Sequence, residues 1–175
     1  MQLTAYGICR SSRPSSLIRI WRRSQRRSCG PNSAADMLLC DTGVLLAAGN
    51  VKDHHHAACL ALMRTAEGPL LVPSPVLGEI GYLLQSRVGP HAEVTFLKSF
   101  GGNGFHVAEI EEGDISRIAE LVEQYLSLPL GIVDAAVIAI AERLNLTEVA
   151  TVDRKHFSIV RPKHVSAFRL LPEAL

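Results

Sequence analysis

The chain has 175 residues, of which 47% are apolar and 20% are charged, and its formal net charge is +1. This length and apolar content suffice for one packed domain and exclude a largely disordered chain. No apolar run reaches the roughly 18 residues that a membrane-spanning helix needs. The four cysteines form no CxxC pair, which disfavours a disulfide scaffold or a cysteine-based zinc module, so we expect reduced thiols in a cytoplasmic protein.

The first 36 residues differ in composition from the rest. They carry seven arginines against one acid, Asp36, whereas residues 37–175 carry 11 basic and 16 acidic side chains. This Ser- and Arg-rich extension is open to three interpretations: a basic arm that neutralises phosphates, an organellar transit peptide, or sequence upstream of a true start at Met37. A secretory or twin-arginine signal is disfavoured because no apolar segment follows the arginine pairs. We expect residues 1–36 to be disordered or untranslated, and residues 37–175 to form the domain.

From Met37 onward, strand-like and helix-like segments alternate. The predicted strands are 37–41, 70–72, 105–110, 148–152 and 167–171. The predicted helices cover about 53–67, 74–88, 90–100, 111–126 and 132–144, with Asp53 and Ser74 as N-caps and turns at 42–43 and 101–104. This alternation predicts an α/β fold, with three α/β/α layers and a short, mostly parallel sheet.

Four acidic residues lie in apolar surroundings. Asp41 ends the first predicted strand, Asp153 follows the fourth, and two further acids, Glu79 and Asp134, lie near the starts of apolar helices. A carboxylate buried in such a helix costs several kcal/mol unless a cation or a donor compensates it. No lysine or arginine lies within 128–142. Each acid taken singly could find a backbone donor or a distant arginine, and Asp134 could cap its helix.

Together, the four acids predict a metal site. In a parallel sheet the loops that follow the strands gather at one edge, where the helices carrying Glu79 and Asp134 can also begin. Converging carboxylates repel one another unless divalent cations are present, and an all-oxygen ligand set suits Mg²⁺ or Mn²⁺. Such an ion supports phosphodiester cleavage by holding a phosphate and lowering the pKa of a bound water. A second acidic cluster predicts only a helix N-terminus that faces water: Glu109, Glu111, Glu112 and Asp114.

Four segments resemble a known family. They are Cys40-Asp41-Thr42, Pro73-Ser-Pro-Val-Leu-Gly-Glu79, Ile132-Val-Asp134 and Ala150-Thr-Val-Asp153-Arg-Lys-His-Phe157. In this order they look like the PIN-domain ribonucleases, most of all the VapC-type toxins of bacterial toxin–antitoxin pairs. The resemblance extends over about residues 37–171. It implies that the metal-binding, catalytic acids are Asp41, Glu79, Asp134 and Asp153, with supporting hydroxyls from Thr42 and Thr151.

The resemblance also implies an activity and partners. It implies Mg²⁺-dependent cleavage of structured RNA of the tRNA or rRNA class, leaving 5′-phosphate and 3′-hydroxyl ends, with Mn²⁺ as the other possible ion. Asp41 and Asp134 would hold the principal metal. It further implies a homodimer, inhibited by a cognate antitoxin whose tail enters the acidic groove. The chain departs from the family at Gly43, where a polar side chain is more common, and in its basic extension.

Other motifs are open to competing interpretations. Asp41-Thr-Gly43 is also the signature of aspartic proteases, whose all-β fold conflicts with the predicted helices. Adjacent histidines in a helix point about 100° apart, so His54–His56 predicts a solvated helix start rather than a metal site. The segment 101–104 lacks the Lys-Ser/Thr of a P-loop. The trio 154–156, Arg-Lys-His, is either ordinary surface charge or a contact to the RNA backbone.

A non-catalytic PIN-like RNA-binding module is the alternative function. It would bind RNA through its basic arm without cutting it. Metal-dependent cleavage, as opposed to salt-sensitive binding alone, distinguishes the two.

Overall fold

The structure, a computed structural model, describes residues 37–101 and 104–175. The expectations for residues 1–36 therefore lie outside the described part of the chain. In the described residues five strands form one sheet: β1 Leu38–Cys40, β2 Leu70–Pro73, β3 Phe105–Ala108, β4 Glu148–Ala150 and β5 Arg169–Leu171. Their order is β3-β2-β1-β4-β5, and every pairing is parallel. The α/β prediction is confirmed.

Helices flank this sheet. They are α1 Thr42–Gly49, α2 His56–Thr65, α3 Ser74–Arg87, α4 Pro90–Leu97, α5 Glu112–Gln124, α6 Ile132–Arg143 and α7 Arg154–Ile159. The strands β1 and β2 are buried throughout, and so is the middle of α6, residues 135–141. Their uninterrupted apolar runs fit a parallel sheet covered on both faces. None of the helices in the described part of the chain is long and apolar enough to cross a membrane.

The strand order places a switch point between β1 and β4. The chain runs from β1 outward to β2 and β3, and then returns to form β4 on the other side of β1. The connections leaving β1 and β4 therefore diverge to opposite sides and open a crevice at the carboxyl ends of these two strands. Open α/β sheets bind their ligands in such a crevice. Asp41 and Asp153 follow these two strands.

Two helix starts differ from the prediction. The predicted turn at 42–43 is wrong, because α1 begins at Thr42, whose backbone N–H donates to Asp41 Oδ1. The predicted cap at Asp53 is also wrong, because α2 begins only at His56 and Asp53 instead accepts a hydrogen bond from the backbone of His55. His56 Nδ1 lies 2.9 Å from the carbonyl oxygen of Ala47, so this histidine joins α2 to α1.

Ser74 does not cap α3 either. The capping position is Pro73, and Ser74 is already helical. The Ser74 hydroxyl instead accepts a hydrogen bond from the Ile110 backbone N–H at 3.3 Å. It therefore fastens the start of α3 to the segment that follows β3.

The acidic cluster at the start of α5 is only partly a water-facing helix end. Glu111 caps the helix, and Glu111 and Asp114 form a capping box. Asp114, however, is only 4% exposed, and Arg143 Nε lies 3.1 and 3.0 Å from its two oxygens. The expectation that Asp114 faces water is wrong, because its side chain is buried between α5 and α6, where it pairs with the partly exposed Arg143.

The trio 154–156 lies on α7, a short helix missing from the predicted elements. Arg154 donates to the carbonyl oxygens of Leu170 and Pro172, so it holds the segment around β5 and is not free surface charge. The turn predicted at 101–104 is present at its two ends, where Gly104 N–H donates to Gly101 O at 3.1 Å. Its two central residues lie outside the described part.

Candidate active site

Asp41 lies at the centre of the crevice, directly after β1. Its backbone N–H donates to Ala150 O at 2.9 Å, which continues the pairing of β1 with β4. Its Oδ2 accepts a hydrogen bond from the Thr151 hydroxyl at 2.8 Å, and its side chain is almost fully buried. Asp41 is thus held from both strands that flank the switch point, which fixes the direction of its carboxylate.

Glu79 reaches the same crevice from α3. The Thr42 hydroxyl donates to Glu79 Oε2 at 2.5 Å. The apolar stretch around Glu79 suggested a buried acid, but the residue is exposed, because α3 buries Val76, Ile80 and Leu84 on another face. Each of the two threonine hydroxyls thus donates to one carboxylate, Thr42 to Glu79 and Thr151 to Asp41, and their supporting role in catalysis stays a prediction.

Asp134 and Asp153 meet at the opposite side of the crevice. Asp134 lies in the first turn of α6, where the Gly131 backbone hydrogen-bonds its carboxylate, although the capping residue is Gly131 itself. Asp153 caps α7, because its Oδ1 accepts hydrogen bonds from the backbone N–H groups of Lys155 and His156. The Oδ2 atoms of both acids lie beside the His156 ring.

His156 completes this group. Its Nδ1 lies 2.8 Å from Asp153 Oδ2 and 3.2 Å from Asp134 Oδ2. One ligand atom from each of these three residues lies within 4.8 Å of the others, as metal ligands do. Sequence reasoning left His156 in the basic trio. The signal that could have placed it in the site is its spacing of three residues from Asp153, since residues so spaced share a helix face.

The four predicted acids form one electrostatic cluster. The negative charges of Asp134 and Glu79 disfavour ionisation of Asp41, and those of Asp153 and Glu79 disfavour ionisation of Asp134. Burial raises the pKa of Asp41 to about 6, against the lowering effect of the Thr151 hydrogen bond. Burial also raises the pKa of Asp134, partly offset by His156. Within residues 37–101 and 104–175, no lysine or arginine forms an ion pair with any of the four.

The residues present fit a divalent cation. Carboxylates repel one another at this spacing, and a cation removes the repulsion while satisfying their oxygens. In addition, His156 Nδ1 is fully buried and lacks an aligned hydrogen bond, although two carboxylate oxygens lie close to it. The structure thus brings together all four predicted acids. Their roles as ligands stay a prediction.

Comparison with known proteins shows the family of this chain. Residues 38–161 match the PIN domain. Ribonuclease VapC26 of Mycobacterium tuberculosis is 32% identical over 135 residues, which cover 77% of this chain and 100% of that protein. The chain belongs to the PIN-domain family. Within it the chain is a VapC-type member, and therefore a metal-dependent ribonuclease.

A solved structure shows the same fold. The crystal structure of M. tuberculosis VapC20, described as a sarcin–ricin loop cleaving toxin, matches with a TM-score of 0.66 at 22% identity. The match covers 74% of this chain and 98% of VapC20. An aspartic protease is excluded, because Asp41 follows a parallel strand and Thr42-Gly43 begins a helix, whereas that signature belongs to an all-β fold. Membership of a nuclease family disfavours the non-catalytic module.

Gly43, at which the chain departs from the PIN family, leaves no room for a side chain. A Cβ atom at Gly43 would lie 2.6 Å from Val152 Cγ2, and the χ1 angle of valine has little freedom to adjust. We expect Gly43→Ser to lower the free energy of unfolding by about 2 kcal/mol through overpacking. Urea denaturation measures this loss, and Val152→Ala in the same chain should restore most of it.

The control for this pair is Gly113→Ser. Gly113 lies on α5, and a Cβ atom there would meet nothing within 4 Å, so its replacement should not destabilise the protein. A Gly43→Ser variant as stable as the parent would contradict the steric account. The same conclusion would follow if Val152→Ala gave no rescue.

Proposed function

We propose that this chain is a Mg²⁺-dependent toxin endoribonuclease that cleaves structured RNA of the tRNA or rRNA class. The observation that supports it most is the convergence of four carboxylates at the β1/β4 switch point without a lysine or arginine partner among the described residues. Carboxylates that repel one another do not stabilise a metal-free protein. A metal-dependent phosphodiesterase, however, needs such carboxylates to bind its cations.

Asp41 and Asp134 would hold the principal ion, and Glu79 and Asp153 would complete the site. When bound, the ion lowers the pKa of a water and neutralises charge that develops on the phosphate. Hydrogen bonds from Thr151 and Thr42 keep the carboxylates of Asp41 and Glu79 in place.

Of the basic trio 154–156, Lys155 is the residue that is free to contact RNA. It is exposed at the start of α7, whereas Arg154 is engaged with backbone carbonyls and His156 faces the acids. A lysine here would contact the RNA backbone and so position it without reading sequence.

The same cluster supports the proposed partners. Residues 37–175 carry five more acidic than basic side chains, and the crevice acids have no lysine or arginine partner in the described residues. A cognate antitoxin that inserts an arginine or a lysine would compensate them, and a homodimer in the cytoplasm is the assembly we propose for the free toxin. If the chain and its candidate antitoxin elute separately at low salt, the pairing is wrong.

The test is cleavage of total cellular RNA by the full chain, mapped by sequencing of the new ends, with Mg²⁺ present and then chelated. We expect discrete cuts with 5′-phosphate ends that disappear on chelation. A sarcin–ricin loop hairpin belongs among the defined substrates, because VapC20 is described as cleaving that loop. Glu112→Gln removes an exposed acid at the start of α5, outside the crevice. It is the control for the removal of a crevice acid and should cleave normally. Binding without metal-dependent cuts would favour the non-catalytic module.

A further inference from the structure

His156 has an arrangement that an ordinary hydrogen bond does not explain. Its Nδ1 lies 2.8 and 3.2 Å from oxygens of Asp153 and Asp134, is fully buried, and yet makes no aligned hydrogen bond. Buried polar atoms are nearly always satisfied, so this nitrogen needs another partner.

A shared cation accounts for both the short distances and the poor alignment. Neighbouring ligands of an octahedral ion with bonds of about 2.1 Å lie about 3 Å apart. The ring nitrogen then points at the ion, about 45° away from either neighbouring oxygen, which is too far off axis for a good hydrogen bond. The distances around His156 Nδ1 fit this arrangement.

The local fold holds the three groups in place before any ion binds. Asp153 Oδ1 accepts the backbone N–H groups of the first turn of α7, and its Oδ2 lies 2.8 Å from His156 Nδ1. Phe157, next to His156, is 1% exposed and anchors α7 in the core. Asp134 is placed independently, by α6. A ligand set prepared in this way loses little entropy on binding.

We propose that His156 is a nitrogen ligand, which together with Asp134 and Asp153 makes a mixed oxygen–nitrogen site that binds Mn²⁺ in preference to Mg²⁺. Mg²⁺ prefers oxygen ligands, whereas an imidazole favours transition metals. This inference deepens the proposed function, because it rests on the same metal site. What it adds is the identity of the ion that Asp134, Asp153 and His156 bind.

The first measurement uses the metal and the full chain without RNA. Electron spin-echo spectroscopy of the Mn²⁺-loaded protein should show coupling to a histidine nitrogen, which changes on ¹⁵N labelling of histidine. Titration of Mn²⁺ by electron paramagnetic resonance should show about tenfold weaker binding in His156→Gln, and competition should show less than about threefold change for Mg²⁺. His91→Gln, an exposed histidine on α4, is the control and should leave both unchanged.

A purely electrostatic role for His156 predicts the opposite change in Mn²⁺ affinity. If His156 only neutralises the two acids, its removal should strengthen Mn²⁺ binding, and the parent protein should show no nitrogen coupling. Either result would overturn the proposal, as would coupling that persists in His156→Gln. Should that variant not fold, the labelled parent protein still decides, because absent coupling refutes the proposal and ring NMR of the Zn²⁺ form identifies the bound histidine. Nitrogen coupling without RNA cleavage would refute the proposed function alone.

Discussion

Asp41→Asn will abolish RNA cleavage and stabilise the metal-free protein. The folded protein at pH 7.5 carries an ionised Asp41 that is 5% exposed and lies near Asp134 and Glu79. Asparagine removes this charge. Its Oδ1 can still accept from the Thr42 backbone N–H, and its amide NH2 can donate to the Thr151 hydroxyl oxygen in place of the bond that hydroxyl now donates. We expect cleavage to fall on the order of a thousandfold, because a metal ligand is lost, and the free energy of unfolding to rise by about 2 kcal/mol.

The stabilisation depends on pH in a defined direction. Burial raises the pKa of Asp41 from 3.8 to about 6, so between these values the folded state binds more protons than the unfolded state. Ionisation of Asp41 therefore lowers stability as pH rises through this window, and the penalty is complete above about pH 6. Urea denaturation in EDTA should show the full gain at pH 7.5 and less than half of it at pH 4.5.

Metal binding provides the control for Asp41→Asn. Mg²⁺ should raise the melting temperature of the parent protein and leave that of the variant nearly unchanged, because the variant lacks the carboxylate of Asp41 as a ligand. A variant that cleaves at the parent rate would remove Asp41 from the site. A variant less stable than the parent at pH 7.5 in EDTA would contradict the electrostatic account.

Arg143→Met will lower the free energy of unfolding by about 2 kcal/mol. It leaves the buried carboxylate of Asp114 without its cation, which is destabilising, although less so than in a pair buried on both sides because the Arg143 side chain is 26% exposed. Arg143 also donates to Glu109 O, so this carbonyl oxygen loses a donor. Urea denaturation at pH 7.5 measures the loss. Asp114→Asn in the same chain should recover part of it.

Arg169→Met is the matched control. Arg169 pairs with Glu148 and Glu173, but its side chain is 60% exposed, and exposed ion pairs contribute little to stability, so the loss should be much smaller than in Arg143→Met. Equal losses in the two arginine variants would show that burial of Asp114 is not the cause. RNA cleavage by folded Arg143→Met should be unchanged, because Arg143 lies at the end of α6, opposite to Asp134 in its first turn.

Local patterns in the sequence were enough to predict the sheet and the four acids that the structure brings together. The buried apolar runs at 37–41 and 70–72 became β1 and β2, and the acids that follow β1 and β4 were expected at the shared edge. The start of α1 was missed because Thr42-Gly43 is typical of a turn in local sequence. There the Asp41 side chain receives the first helical N–H, which is a hydrogen bond that composition does not show.

By itself, the sequence determined the α/β class, the edge of the sheet at which the site lies, and the four acids that meet there. These follow from periodicity and from the geometry common to all parallel sheets. Only the tertiary structure decided the place of His156 beside Asp134, the pairing of Asp114 with Arg143, and the exposure of Glu79. Each depends on side-chain distances between residues far apart in the chain or on which face a helix buries, and these are set when the helices pack on the sheet.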